Sequence, residues 1–118
     1  MTDRELLELA AKAAGIDVRW IAECQDYYEH RPHMLPGYWD KWNPLADDGD
    51  ALRLAVKLGL LVDVWLHQKV CIASNQGEEI ADAKEQFGND PYAATRRAIV
   101  RAAAEIGKAH SAASIVKE

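Results

Sequence analysis

The sequence predicts an α+β fold in one domain, with a small, largely antiparallel sheet and helices packed on its faces. Two observations carry the prediction. Three segments repeat apolar residues at helical spacing between recognisable caps, and the stretches between them alternate or concentrate β-branched residues in short runs. A chain of 118 residues, 49% of them hydrophobic, suffices for one modest core. The expected order is α-β-α-β-β-β-α, without internal repeats, folded as one unit over residues 1–110 and ending in a frayed tail over 111–118.

The first helix is expected at about residues 3–14. Thr2-Asp3-Arg4-Glu5 has the form of a capping box, Leu6, Leu9, Ala10, Ala13 and Ala14 recur on one face, and Gly15 is a natural stop. From Ile16 to Cys24 the pattern becomes alternation, with Val18, Trp20, Ala22 and Cys24 on one side and Asp17, Arg19 and Glu23 on the other. Ile21 falls on the polar side, which points to helices covering part of both faces.

Residues 25–47 contain Pro32, Pro36, Gly37 and Pro44 and no sustained period, so they read as one long connection. Connections of that length in compact domains tend to be functional or disordered. The aromatic residues Tyr27, Tyr28, Tyr38, Trp39 and Trp42 favour an ordered loop that packs down or binds something. Trp42 and Leu45 belong to the core or to a hydrophobic staple before the second helix, and Tyr38 and Trp39 are the candidates for a partner-binding surface.

The second helix follows, with Asp48 or Asp50 as its N-cap and the acidic cluster complementing its dipole. Leu52, Ala55, Val56 and Gly59 make one face, and Leu54 and Leu58 widen it, the pattern of a well-buried helix. Leu61 to His67 and Lys69 to Ser74 read as a hairpin, followed by a turn at Asn75-Gln76-Gly77 and a charged edge strand over Glu78 to Lys84. Asp90 and Pro91 open the last helix, whose inner stripe is Thr95, Ala98, Ile99, Ala102, Ala103 and Ile106.

Composition excludes several classes. The net charge of -5 disfavours nucleic-acid binding over the whole surface. Residues 1–89 carry 9 basic and 16 acidic side chains and residues 90–118 carry 5 and 3, which makes the last helix the only basic patch. There Arg96, Arg97 and Arg101 are the candidate phosphate-binding residues, although Glu105 is spaced to pair with Arg101. No apolar run reaches the roughly 20 residues of a membrane-spanning helix. Two distant cysteines, Cys24 and Cys71, and a charged N-terminus predict a reduced, cytoplasmic setting.

Candidate chemistry is sparse. Asp47, Asp48 and Asp50 resemble a cation loop, but with Gly49 in the required glycine position only Asp48 matches upstream and Ala55 stands where the closing glutamate belongs. Capping is the better account. Cys24, His30 and His33, with His67 or Cys71, are spaced as zinc ligands but lack the two close pairs of a strong pattern. A catalytic Cys24 would need a histidine in contact. No phosphate loop, nucleophile elbow or dinucleotide fingerprint occurs, so no catalytic residue, metal or cofactor is assigned.

Two segments, Trp42-Asn43-Pro44-Leu45-Ala46-Asp47-Asp48-Gly49-Asp50-Ala51-Leu52-Arg53-Leu54-Ala55 and Asp90 to Ala104, together with the opening helix, resemble small phage and prophage proteins grouped as a phage α-β-α (ABA) sandwich domain. The resemblance implies a helix-sheet-helix sandwich and a protein working in an infected or lysogenic bacterial cell, and brings no site residues with it. The expected function is a non-catalytic phage accessory protein that binds a host or phage protein. Nucleic-acid binding through the last helix is the alternative, a metal-dependent hydrolase comes third, and self-association as a homodimer is open.

Overall fold

The computed structural model describes residues 1–75 and 82–116, with side chains to residue 110. Helix α1 (Asp3–Ala14) leads into β1 (Val18–Ile21), β2 (Asp26–His30) and β3 (Trp39–Trp42). Helix α2 (Asp48–Leu58) leads into β4 (Leu60–Trp65), β5 (Val70–Asn75) and β6 (Asp82–Gln86), and α3 (Pro91–Val116) closes the chain. The strands form two antiparallel three-stranded sheets, β1-β2-β3 (sheet A) and β4-β5-β6 (sheet B).

The α+β class stands, but the element order differs from expectation in one region. Residues 25–47 are not one connection: they supply β2 and β3. Neither strand shows an apolar face, because Tyr27 and Tyr28 are adjacent and Trp39 and Trp42 fall on opposite sides of the strand, with charged residues filling the other positions. Strand β1 also stops at Ile21, before a turn over residues 22–25 that ends on Gln25 at φ 56. Of the expected third segment, Glu78 to Ala81 lies outside the described residues, and the strand runs Asp82–Gln86. The backbone of α3 is helical to Val116, past Ser111 where the frayed tail was expected.

The chain is a helix with a three-stranded meander, then a second such unit, then α3. Corresponding positions share backbone geometry: Gly15 (φ 67) and Gly59 (φ 63) end the first two helices, and Gln25 and Lys69 (φ 57) end the first turns of the two meanders. The cross-strand pairs Trp20 with Tyr27 and Val64 with Cys71 fall at the same interval. This internal repeat is absent from the sequence pattern because matching positions hold unlike side chains.

Capping follows the predicted chemistry with one shift. The Thr2 hydroxyl accepts from the Glu5 N–H at 3.1 Å, and Asp90 accepts from the Tyr92 and Ala93 N–H groups. The cap of α2 is Asp47, which accepts from the Asp50 N–H at 2.8 Å, whereas Asp48 and Asp50 lie inside the first turn.

Helix α3 is the centre of the core. It packs along α1, across β5 and β6, and against α2. Its alanines bury nearly all round: Ala98, Ala102, Ala103 and Ala104 join Val100 and Ile99 inside. Cys71, Ala73 and Ala83 meet it from sheet B. Helix α2 buries Ala51, Leu54 and Ala55, not the expected Leu52 and Val56, which are 64% and 72% exposed. Its broad apolar stripe is really two faces, and α3 covers one.

Sheet A is held through a single face. Trp20 and Tyr27 pack edge to face at 5.0 Å, and Trp42, paired with Tyr27, is buried. Helix α1 clamps this row: the Arg4 guanidinium lies 4.1 Å from the Trp20 ring, the Arg4 Nε donates to the Tyr27 hydroxyl, and that hydroxyl donates to the Glu8 carboxylate. Burial pushes the Tyr27 phenol above its ordinary 10.0, the hydrogen bond to Glu8 adds to the rise, and Arg4 opposes it. A phenol whose pKa is raised by folding contributes stability that is present below the unfolded value and lost as pH rises through the folded one. The native chain should therefore lose stability more steeply above about pH 10 than Tyr27→Phe does in denaturant titrations, and parallel curves for the two would contradict this clamp.

Candidate functional site

The inner face of sheet A is committed to the core, which leaves the outer face. Strand alternation places Arg19 and Ile21 of β1, Asp26, Tyr28 and His30 of β2, and Trp39 and Lys41 of β3 on it. Arg19, Tyr28 and Lys41 form one cross-strand row, and His30 pairs with Trp39 in the next. The rings of His30 and Trp39 stack at 4.7 Å with an interplanar angle of 21°, and the Arg19 guanidinium lies 4.8 Å from the Trp39 ring. The result is a layered guanidinium, indole and imidazole stack on a rigid sheet.

Arg19, Ile21, Tyr28 and Trp39 line a shallow depression of about 370 Å³. Its rim is tied down by neighbouring charges. Hydrogen bonding with Cys24 raises the Tyr28 phenol above its ordinary value, and hydrogen bonding with Asp26 raises the Lys41 ammonium. Lys41 Nζ lies 3.2 Å from Asp26, and His30 Nδ1 lies 3.7 Å from Asp17. Arg19 differs from the other arginines: among the described residues it alone lacks a carboxylate partner.

Of the two aromatics expected at a binding surface, Trp39 belongs to this face. Tyr38 precedes β3 and closes the β2–β3 loop, its N–H donating to Leu35 and its carbonyl accepting from Arg31. Arg19 and Tyr28 were not singled out as site residues. Ile21 on the polar side of β1 was the available signal, and it marks an open apolar spot rather than a face covered by a helix.

The basic candidates on α3 are spent within the fold. Arg96 donates to the Leu45 carbonyl and pairs with Asp48 at 2.7 Å, Arg97 pairs with Asp3 at 3.2 Å, and Arg101 binds the Lys84 carbonyl and the Glu85 carboxylate. Glu105 pairs with Lys108 instead of Arg101. Phosphate would have to displace these carboxylates.

A second, polar depression of about 420 Å³ lies between sheet A and the start of α2, lined by Arg31, Asp40, Asp47, Asp50 and Arg53. The Arg31 guanidinium reaches Glu29 at 3.0 Å, Asp40 at 3.2 Å and Asp50 at 3.9 Å. Burial pulls the Arg31 pKa down, but Glu29, Asp40 and Asp50 outweigh it and hold it above the ordinary value. Asp50 is buried and also accepts from the Asn43 N–H and from Arg53. These carboxylates satisfy donors that join β2, β3 and α2, so the cluster is a structural joint.

The zinc candidates are dispersed. Cys24 is exposed in the β1–β2 turn, Cys71 is buried in β5, and among the described residues no three His, Cys, Asp or Glu side chains are grouped to hold a metal ion. The Cys24 and Cys71 thiols donate to the Ile21 and Glu85 carbonyls, so neither thiol meets a histidine base. Among the described residues no helix is long and apolar enough to cross a membrane. No family model, curated protein or solved structure matches the chain.

Proposed function

We propose that this chain is a non-catalytic protein-interaction module that takes a partner protein on the outer face of sheet A. The observation that carries the reading is the Arg19, Trp39 and His30 stack beside Tyr28, on a sheet face that no other element among the described residues covers. Trp, Tyr and Arg are the residue types that dominate interface hot spots, and preordered side chains lose little entropy on binding. With no carboxylate of its own among the described residues, Arg19 favours a partner that presents an acidic group next to an apolar or aromatic one. On the resemblance of residues 42–55 and 90–104 to phage ABA sandwich proteins, we extend the proposal to work in the cytoplasm of a phage-infected or lysogenic bacterium.

Affinity capture from a bacterial lysate, run with and without nuclease, tests the reading. The native chain should retain a protein whether or not nucleic acid is digested. Trp39→Ala should lower its recovery by about tenfold or more, the loss of a hot-spot anchor, with an unchanged melting curve. Retention of nucleic acid alone, or equal recovery by Trp39→Ala, contradicts the proposal.

A further inference from the structure

We infer that the edge of sheet B left open among the described residues is completed by the same edge of a second copy of this chain, β4 pairing antiparallel with β4 about a two-fold axis at Val64. The inference is independent of the sheet A reading. Strand β4 is an edge strand by position and an interior strand by composition: Leu60-Leu61-Val62-Asp63-Val64-Trp65 carries one charge and runs on into Leu66. Edges are ordinarily blunted by charged side chains. The opposite edge, β6, obeys that rule with Asp82, Lys84 and Glu85. In β4 both faces are apolar, the pattern of a strand flanked by neighbours on each side.

The helix beside this edge has the same mismatch. Leu52 of α2 and Tyr92 of α3 line, with Val62, Val64 and Leu66, a depression of about 400 Å³ next to the free edge, and Val56 is bare on the same helix. Leu52, Val56, Val64, Leu66 and Tyr92 on this side of the sheet, and Leu61 and Trp65 on the other face of β4, are each 40% or more exposed, so an added strand with its own helix would cover apolar side chains on both faces of the edge.

A second copy supplies what the surface needs, an equally apolar strand with a free edge, and identical strands paired antiparallel generate a closed two-fold. An axis at Val64 sets Val62 opposite Leu66 and Asp63 opposite Trp65 of the partner subunit. It keeps the Asp63 carboxylates from facing each other, where like charges destabilise. Directly opposed residues point to the same face of a sheet, so Leu52 and Val56 of the two copies come to one side and cover each other across the axis. The charged β6 strands then end a six-stranded sheet on both sides.

Sedimentation equilibrium of the full chain over about 1 to 100 μM tests this. The native protein should sediment at twice its 13.1 kDa chain mass. Leu66→Lys, at a side chain 73% exposed in the β4–β5 turn, and Val64→Lys should each sediment as folded monomers. Leu66→Lys removes no buried group, so it reports on association even where Val64→Lys disturbs the fold. A native chain that stays monomeric throughout, a dimer indifferent to Leu66→Lys, or open-ended polymers would overturn the inference.

Discussion

Replacing Gly107 with alanine should destabilise the protein by about 3 kcal/mol, the upper end of the cost of overpacking a rigid interior. A Cβ built at Gly107 stands 2.1 Å from the Leu9 carbonyl oxygen and 2.9 Å from its carbon. Both obstacles are backbone of α1, so no rotamer change relieves them and the two helices must move apart. Alanine would otherwise gain about 1 kcal/mol in a helix interior, so the steric term has to overcome that gain as well. Gly49→Ala is the control. Its Cβ would meet side chains only, the Asp47 carboxylate that caps α2 at 3.2 Å and the Arg53 guanidinium at 3.3 Å, and it should cost less than about 1 kcal/mol. Urea titrations compare the three proteins, and a Gly107→Ala variant as stable as the native chain would show that α1 and α3 are not in close contact.

Trp42→Ala should cost about 3 to 5 kcal/mol, the range for deleting a large buried aromatic. Trp42 is 2% exposed, pairs with Tyr27 across β3 and β2, and is the residue through which β3 enters the core. Two positions later Pro44 is fully buried, so the chain between sheet A and α2 has little freedom to fill the void. The loss should appear first as faster amide exchange in β2 and β3, with α3 and β5 still protected. A cost below about 1 kcal/mol would mean that sheet A is anchored elsewhere.

Helix ends are legible because their signals are local: Gly15 and Gly59 act through their own left-handed backbone, and the Thr2 and Asp90 side chains accept from N–H groups two or three residues on. The cap of α2 was misplaced by one residue because three aspartates compete there, and only the fold shows Asp48 taken by Arg96 and Asp50 turned inward to Asn43 and Arg53. Strands β2 and β3 were hidden because alternation reports one buried face, and in these strands aromatic residues occupy both. Trp39, read from sequence as a loop residue, is a strand residue of β3, half-buried between Arg19 and His30 on the outer face of sheet A. Its neighbours Arg19 and Tyr28 depend on cross-strand register, which no local pattern encodes. The exposed stripe of α2 was invisible for the opposite reason: Leu52 and Val56 look buried in sequence, and their exposure emerges only when α3 is seen to cover Leu54 instead.

The outer face of sheet A as the partner-binding surface is the central claim, and site-specific photocrosslinking tests it most directly. A photoreactive residue in place of Lys41, exposed on that face, is compared in lysate with one in place of Lys108, exposed on α3. A protein adduct that forms from position 41, not from position 108, and disappears when Trp39 is changed to alanine is the predicted result. Adducts from position 108 alone, or an adduct from position 41 that survives Trp39→Ala, would contradict it.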